Sequence, residues 1–395
     1  MAALAALTAL WVAHVWSAFA YPLGNDPAIF QFYGWAMTVG ELPYVDAYDV
    51  NTPGIMLLHF GWGSLAGFTD PAFLSLALGL STLCLLGAGL TLLRPGLTAT
   101  SVPKAAVPTA AVPTAAVVLG MAVGIWAFTQ ITPWDRGQRE LFQGVLLLAA
   151  MGSARRSPLV AGALAGMAFT LKLAILPVLW VVWMAWLWDM SRQNTPHAVR
   201  RTVASFVGFV IPVVSVFAWL WQVDALDAFM DIMNTYLPLH NQVLRVAWTD
   251  AMAQPLPIAV LVLGIAAAAT GHRVLGAALL GNIAIYLYQR HGWTYHLNIS
   301  VPLMAPAAAL VASHLPTRFV LPAALLPAIF AVLTVHYDLG DGLVRAEQID
   351  DHWRYSAHVA VAEYLQANGT AADRVLTNND EQQLLYMARR RAATP

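Results

Sequence analysis

Residues 21–53 read YPLGNDPAIFQFYGWAMTVGELPYVDAYDVNTP, and this stretch decides how the chain is organised. It follows an apolar segment, contains four carboxylates and has no Lys or Arg; the first basic residue of the chain is Arg94. Its scattered Pro, Gly and Asn residues oppose one long helix. The stretch therefore predicts a long first outer loop over residues 21–70. Acids gathered in one outer loop of a membrane protein indicate a reactive site there.

The composition around this loop is that of a membrane protein. The chain is 59% hydrophobic and 10% charged, with a mean hydropathy of +0.63, whereas soluble domains carry about 25% charged residues. A soluble protein of this length could not bury so much apolar surface. The net charge of −1 gives no indication of nucleic-acid binding. Cys84 is the one cysteine, so the chain has no internal disulfide.

Apolar segments of near-membrane length recur along the chain and predict an all-α integral membrane protein with about eleven transmembrane helices. The first segment lacks a positively charged flank, so we interpret it as a retained span and not as a cleaved signal. Residues 53–68 are also apolar, but Pro53-Gly54 and Asp70-Pro71 bound them, which favours an amphipathic or re-entrant helix of the loop. The predicted spans cover residues 3–20, 71–93, 115–131, 141–153, 157–171, 173–190, 202–222, 252–270, 274–289, 297–314 and 319–337.

The distribution of basic residues predicts the orientation. With the N-terminus inside, nine Lys and Arg fall in inner segments and four in short outer loops, as the positive-inside rule requires. We therefore expect a multi-pass protein of the inner (plasma) membrane, with the first loop and the tail on the outer, periplasmic side. Residues 95–114 include Pro-containing repeats, which predict an extended inner linker.

The chain divides into a membrane domain, residues 1–337, and a short outer soluble tail, residues 338–395. The tail pattern predicts a helix, a turn at Asn368-Gly369, a strand near Arg374–Thr377 and a further helix. The predicted tail is a short α/β segment that ends before a sheet could close. Under this interpretation the open reading frame is truncated.

Two parts of the first loop are candidates for chemistry. Asp26 follows Asn25 and precedes Pro27, so it either caps a surface helix or acts as a general base at the membrane boundary. Asp46 and Asp49 lie between Pro43 and Pro53 in an irregular segment. They bind a cation, orient an acceptor hydroxyl or are simply solvated.

Later loops concentrate polar groups between apolar spans. ITPWDRGQRELF, residues 131–142, carries Asp135, Arg136, Arg139 and Glu140 in a very short turn, either as a functional group or as a self-neutralised one. YQRHGWTYHLN, residues 288–298, contains three basic or titratable residues, Arg290, His291 and His296, and the aromatic residue Tyr295. These residues either bind a phosphate or anchor the segment at the membrane interface. Lys172 stands alone between two apolar half-segments, where its ammonium either snorkels or faces an internal cavity.

The order of these segments resembles the GT-C class of integral-membrane glycosyltransferases, in particular the protein O-mannosyltransferase and lipid A aminoarabinose transferase group. Four features carry the resemblance, which extends over nearly the whole chain. They are Asp26 followed by G-x-x-P-Y-x-D-x-x-D-x-N-x-P (Gly40 to Pro53), the GQRE turn (Gly137–Glu140), the Lys172 segment, and GW-x-YH (Gly292–His296).

The resemblance implies inverting transfer of a hexosyl or pentosyl group from a polyprenyl-phosphate-linked sugar to an envelope acceptor, which is a glycolipid, polysaccharide or protein. It implies that Asp26 is the general base. The candidates for the donor-phosphate side are Arg136, Arg139, Lys172, Arg290, His291 and His296. The candidates for acceptor binding or for shaping the loops are Asp46, Asp49, Asn51, Asp135, Glu140 and Tyr295. No motif requires a cofactor. A divalent cation bound by Asp135 or Glu140 is an open alternative.

The chain departs from the class at two positions. Many relatives carry a phosphate-binding Lys near the end of the first loop, where this chain has Asn51, and many carry Lys in place of His291. Both changes remove a permanent positive charge, which predicts pH-dependent phosphate contacts. Two other functions remain open: a transporter or flippase of lipid-linked saccharide, and an inactive partner subunit. The absence of a visible internal repeat counts against transport.

Overall fold

The structure is a computed structural model that describes residues 2–19, 21–93, 112–132, 135–192, 197–240, 246–353, 355–370, 372–375 and 382–393. Helices dominate these residues. They are α1 Ala2–Ala18, α2 Asn25–Thr38, α3 Pro53–Ala66, α4 Asp70–Leu93, α5 Thr114–Thr129, α6 Arg139–Ser153, α7 Pro158–Leu171, α8 Leu176–Arg192, α9 Ala198–Gln222, α10 Leu226–Asp231, α11 Leu237–His240, α12 Trp248–Ala251, α13 Pro255–Ala269, α14 Arg273–Gln289, α15 Val301–Ala312, α16 Thr317–Trp353, α17 Tyr355–Asn368 and α18 Gln382–Ala388.

Every apolar segment predicted as a span contains a helix, so the predicted all-α membrane architecture is confirmed at this level. Four described segments are long and apolar enough to cross a bilayer: Asp70–Gly89, Leu173–Arg192, Ala198–Gln222 and Thr317–His336. Five further apolar helices are shorter. The chain is a multi-pass membrane protein, while the number of crossings and their orientation stay predictions.

Small residues bring α7 and α9 together. A Cβ added at Gly162 would lie 1.8 Å from the Ser205 carbonyl oxygen, and one at Gly208 would lie 2.0 Å from the Leu159 carbonyl oxygen. The two backbones approach so closely because neither glycine has a side chain, as is common between helices in lipid. Large apolar side chains such as Phe206 and Trp221 remain exposed on α9, as expected for a surface that lipid covers.

The first loop is ordered around α2 and α3, which pack against each other. Gly24 is the N-cap of α2 and Asp26 lies in its first turn. The alternative in which Asp26 caps a surface helix is therefore wrong, because the helix begins one residue before Asp26. Between the helices, Tyr44 takes a left-handed conformation with φ of 72° and its hydroxyl donates to the Asn51 carbonyl at 2.6 Å.

The tail packs onto this loop. The predicted helix, turn and strand are present as α17 and β1 (Arg374–Val375), and β1 pairs in parallel with a second short strand, β2 (Arg391–Ala392). Arg391 Nη2 donates to the Val39 carbonyl at 3.0 Å, and Arg374 Nη1 lies 3.4 Å from Glu41 Oε1.

Two predicted boundaries can be compared with the described residues: the end of the membrane domain at residue 337 and the inner linker, residues 95–114. The helix α16 runs through the predicted boundary at residues 337/338 and ends at Trp353. The change to polar composition after residue 337 does not end the helix. The glycines in this part weaken the helix without ending it. The predicted inner linker, residues 95–114, lies outside the described residues except at its last positions.

Candidate active site

The GQRE turn brings the first polar group into the protein interior. Gly137 has φ of +87°, a conformation that side chains rarely adopt, and a Cβ there would lie 2.9 Å from the Phe73 ring. The chain therefore reverses tightly before α6 begins at Arg139. The first two residues of α6, Arg139 and Glu140, are 6% and 1% exposed.

A break between α7 and α8 supplies the second polar group. α7 ends at Leu171, Lys172 is extended with φ of −164°, and a 3₁₀ turn (Leu173–Ile175) leads into α8. The last carbonyls of a helix have no partner within the helix. Gln143 of α6 satisfies one of these, because its Nε2 donates to the Ala168 carbonyl at 2.8 Å; it also donates to the carbonyl of Lys172, just beyond the helix, at 2.9 Å.

Glu140 is the centre of the resulting cluster. Its Oε1 accepts a hydrogen bond from Lys172 Nζ and lies 3.6 Å from Arg139 Nε and 3.3 Å from His296 Nδ1. Lys172 Nζ is also 3.1 Å from His296 Nδ1. Burial lowers the pKa of His296 to about 3, so the ring is neutral and the positive charge of the cluster comes from Lys172 and Arg139.

The acidic loop meets this cluster through two side-chain contacts. Asp26 Oδ2 accepts a hydrogen bond from Gln138 Nε2 at 3.1 Å, which fixes the carboxylate against the GQRE turn. Arg139 Nη1 donates to Asn51 Oδ1 at the end of the first loop. Asp26 is also within electrostatic range of Arg139 and of Lys172. A carboxylate and two cations thus lie at one location, although they come from three distant parts of the sequence.

The remaining acids of this region have distinct surroundings. Asp49 Oδ1 accepts from the Asn51 amide at 2.5 Å, and burial raises the Asp49 pKa to about 6. Asp46 Oδ2 accepts from the Leu42 amide at 2.8 Å and shapes the loop. Asp135 Oδ2 accepts from Thr132 at 2.6 Å, and burial raises the Asp135 pKa to about 6 as well. Asp49 and Asp135 therefore bind protons more readily than exposed aspartates do.

The segment 288–298 divides into two parts. His291, Trp293 and Tyr295 form a row of nearly parallel rings, with successive centroids 5.0 and 5.8 Å apart, and Lys172 Nζ lies 5.8 Å from the Tyr295 ring. His291 is 5.9 Å from His296 between centroids, so it borders the cluster. Arg290, the C-cap of α14, has φ of 57° and donates to the Val246 carbonyl at 3.1 Å.

Arg136 takes a separate position. Its guanidinium is 5.5 Å from the Tyr21 ring and lies within electrostatic range of His14 on α1. The structure thus brings Asp26, Asn51, Arg139, Glu140, Lys172, Tyr295 and His296 together, with Asp49, Asp135 and His291 adjacent. Arg136 and Arg290 contact other residues, as described above. Among the described residues, no group of three or more His, Cys, Asp or Glu side chains is arranged to hold a metal ion.

Comparison with known proteins supports the fold. No family model matches the sequence, and no curated protein matches it. The crystal structure of ArnT from Cupriavidus metallidurans bound to undecaprenyl phosphate superposes with a TM-score of 0.62 over 99% of this chain and 84% of ArnT, at 13% sequence identity. The chain has the fold of ArnT.

Two glutamines of this fold were not singled out as site residues by sequence reasoning. Gln138 holds Asp26, and Gln143 holds the helix end that carries Lys172. A signal for Gln143 was present, because it lies three residues after Glu140 and so shares its helix face. Gln138 belongs to the GQRE turn itself, but nothing in the sequence pairs it with a residue 112 positions away.

Proposed function

We propose that this protein is an inverting glycosyltransferase that moves a sugar from a polyprenyl-phosphate donor to an acceptor in the cell envelope. The observation that carries the proposal is that Asp26, held by Gln138 at the junction of the first loop and α6, lies within electrostatic range of the cations Arg139 and Lys172. The GT-C fold supports it, because the ArnT structure with that fold contains undecaprenyl phosphate.

The positive side of the site suits the leaving group. As the sugar C1–O bond to phosphate breaks, charge accumulates on the phosphate oxygens, and fixed positive groups stabilise that charge. Arg139 presents a planar guanidinium that can bind two phosphate oxygens. Lys172 provides a second charge, which Glu140 orients through a direct ion pair.

The negative side suits activation of the acceptor. Asp26 takes the proton of the acceptor hydroxyl while that oxygen forms the new bond to C1 on the opposite face from the phosphate. One bond forms as the other breaks, so the configuration at C1 inverts and polyprenyl phosphate leaves. Gln138 holds one carboxylate oxygen and leaves the second for the proton. The acceptor is a glycolipid, a polysaccharide or a protein on the outer face, where the positive-inside rule puts the first loop.

Replacement of Asp26 tests the base. Envelope glycans are compared by mass spectrometry in a strain that lacks the gene and in strains complemented with wild type or Asp26→Asn. Wild type should restore a glycan modification and Asp26→Asn should not, while purified Asp26→Asn still binds undecaprenyl phosphate. Asp227→Asn, an exposed carboxylate on α10, is the matched control and should behave as wild type. Full activity of Asp26→Asn would exclude this residue as the base.

A charge exchange tests the phosphate side. Arg139→Gln should lose undecaprenyl-phosphate affinity, because the guanidinium beside Asn51 is gone. Asn51→Lys in the same chain returns a cation to the same place and should restore much of that affinity. If the double variant binds no better than Arg139→Gln alone, positive charge at this position is not what holds the phosphate.

Proteoliposomes separate transfer from transport. Donor-loaded vesicles that contain the protein, supplied with an envelope extract from the strain that lacks the gene as the source of acceptor, should convert the donor into free polyprenyl phosphate and glycosylated acceptor. A flippase would move intact donor between leaflets without release, and an inactive partner subunit would do neither.

A further inference from the structure

A second region of the membrane domain has the features of a binding site. A cavity of about 650 Å³ lies between α6, α7, α8, α9, α14 and α15, within the range of about 300–1,000 Å³ typical of small-molecule sites. Its walls are mainly apolar and include Leu147, Leu179, Trp183, Phe209, Leu275 and Leu310.

This cavity is separate from the candidate active site. Glu140 lies at the start of α6, whereas the residues of α6 that line the cavity begin at Leu147 and continue to the turn after the helix at Arg155. None of Arg139, Glu140, Lys172 or His296 is among its lining residues. On α6, α7, α9 and α14 the lining residues lie toward the ends that the orientation rule assigns to the inner side, while on α8 the lining extends from Leu176 to Met190.

The end of the cavity farthest from Glu140 carries positive charge. Arg155, Arg201 and Arg273 line it, and Asp189 is the one carboxylate among the described lining residues. Asp189 is paired with Arg273 at 3.2 Å. Arg155 and Arg201 therefore leave an excess of positive charge at the mouth of an apolar cavity.

Buried polar atoms in the same lining have no hydrogen-bond partner among the described residues. They are Trp183 Nε1, Arg201 Nε and His272 Nε2. Neighbouring protein atoms cover all three, so the polar groups that a ligand would meet are the arginines at the mouth. The ligand that suits this lining combines an apolar chain with a negative charge.

We propose that this cavity binds one anionic glycerophospholipid from the leaflet on this side, with an acyl chain among α6, α7 and α8 and its phosphate at Arg155 and Arg201. An apolar chain suits the walls, and the phosphate suits the excess charge. The proposal does not depend on the transferase function, because the two sites share no residue.

Lipid binding to the purified full chain tests the charged end. Native mass spectrometry should detect one bound phosphatidylglycerol on wild type and a much weaker adduct with phosphatidylcholine. Arg155→Gln/Arg201→Gln should weaken phosphatidylglycerol binding by at least about tenfold. The matched control is Arg156→Gln/Arg200→Gln, which changes the adjacent arginines and the same total charge outside the cavity lining, and it should bind as wild type. Equal losses in both double variants would show general surface attraction and overturn the proposal.

A substitution inside the cavity tests the acyl chain. Ala165→Phe adds a ring to the wall without touching either arginine, so it should reduce phosphatidylglycerol binding while thermal unfolding stays as in wild type. It also covers the case in which Arg201→Gln disturbs folding, since Arg201 Nη2 donates to the Ala154 carbonyl at 3.1 Å. Unchanged binding by Ala165→Phe would overturn the proposal. Undecaprenyl phosphate that displaces the phospholipid with the same arginine dependence would reassign the cavity to the polyprenyl lipid.

Discussion

Replacement of Glu140 by Gln probes the charge balance of the candidate active site. Glu140 is 1% exposed and its Oε1 contacts Lys172 directly, with Arg139 at 3.6 Å. Gln keeps the shape and removes the charge, which leaves two buried cations without their shared anion. Removal of one partner of a buried ion pair costs about 3–5 kcal/mol. We therefore expect Glu140→Gln to lower the free energy of unfolding by that amount.

The measurement is reversible unfolding in mixed detergent–SDS micelles, followed by tryptophan fluorescence. The double variant Glu140→Gln/Lys172→Met removes one negative and one positive charge and should recover most of the loss, because the buried net charge returns to the wild-type value. A coupling energy of about 1 kcal/mol or more between the two sites is the expected result for groups in contact. A loss below about 1 kcal/mol for Glu140→Gln, or additive effects in the double variant, would show that Glu140 and Lys172 are not a buried pair.

Three further variants test other parts of the structure. Burial raises the pKa of Asp49 from 3.8 to about 6, so the free energy of unfolding should fall as pH rises from about 4 to about 6. Asp49→Asn should abolish that dependence and stabilise the protein above pH 6 by up to about 3 kcal/mol. The measurement is unfolding at pH 4.5 and 7.5. Gly54→Ala would bring a Cβ to 2.4 Å from the Thr170 carbonyl oxygen and should cost about 1–3 kcal/mol, whereas Gly61→Ala, in the same helix with no atom within 4 Å, should be neutral or slightly stabilising in the same unfolding measurement. Glu41→Gln removes the carboxylate that faces two tail arginines and should speed tryptic cleavage of the tail in a timed digest, with rates equal to wild type counting against the docking contact.

The helical membrane architecture could be predicted from the sequence because its signal is local. A run of apolar residues predicts a buried or lipid-facing helix wherever it occurs, and all the predicted segments contain one. The short strand β2 was not predicted, because two residues, Arg391 and Ala392, give no alternating pattern. The capping role of Asp26 was wrong for a related reason, since the exact first residue of a helix depends on contacts outside it.

The candidate site required long-range information. Glu140 meets Lys172 across 32 positions and His296 meets Lys172 across 124. The sequence marked each of these residues as a polar group between apolar spans. Such a position shows that burying the group costs free energy, but it does not show which residue the group contacts. It could not separate Arg136 from Arg139, although the structure directs them to different neighbours. Their separation by three positions across a glycine turn decides this, and only the backbone conformation at Gly137 reveals it.

Asn51 shows how a group from a distant part of the sequence can supply a charge that a loop lacks. The first loop contains no Lys or Arg, so any cationic side chain beside it comes from elsewhere in the chain. Arg139, 88 positions later, donates to the side chain of Asn51. An arginine stays charged at any physiological pH, whereas buried His296 is neutral. If the phosphate contact rests on Arg139 and Lys172, it should not follow histidine titration, so the pH dependence expected when Asn51 and His291 are considered alone should be absent.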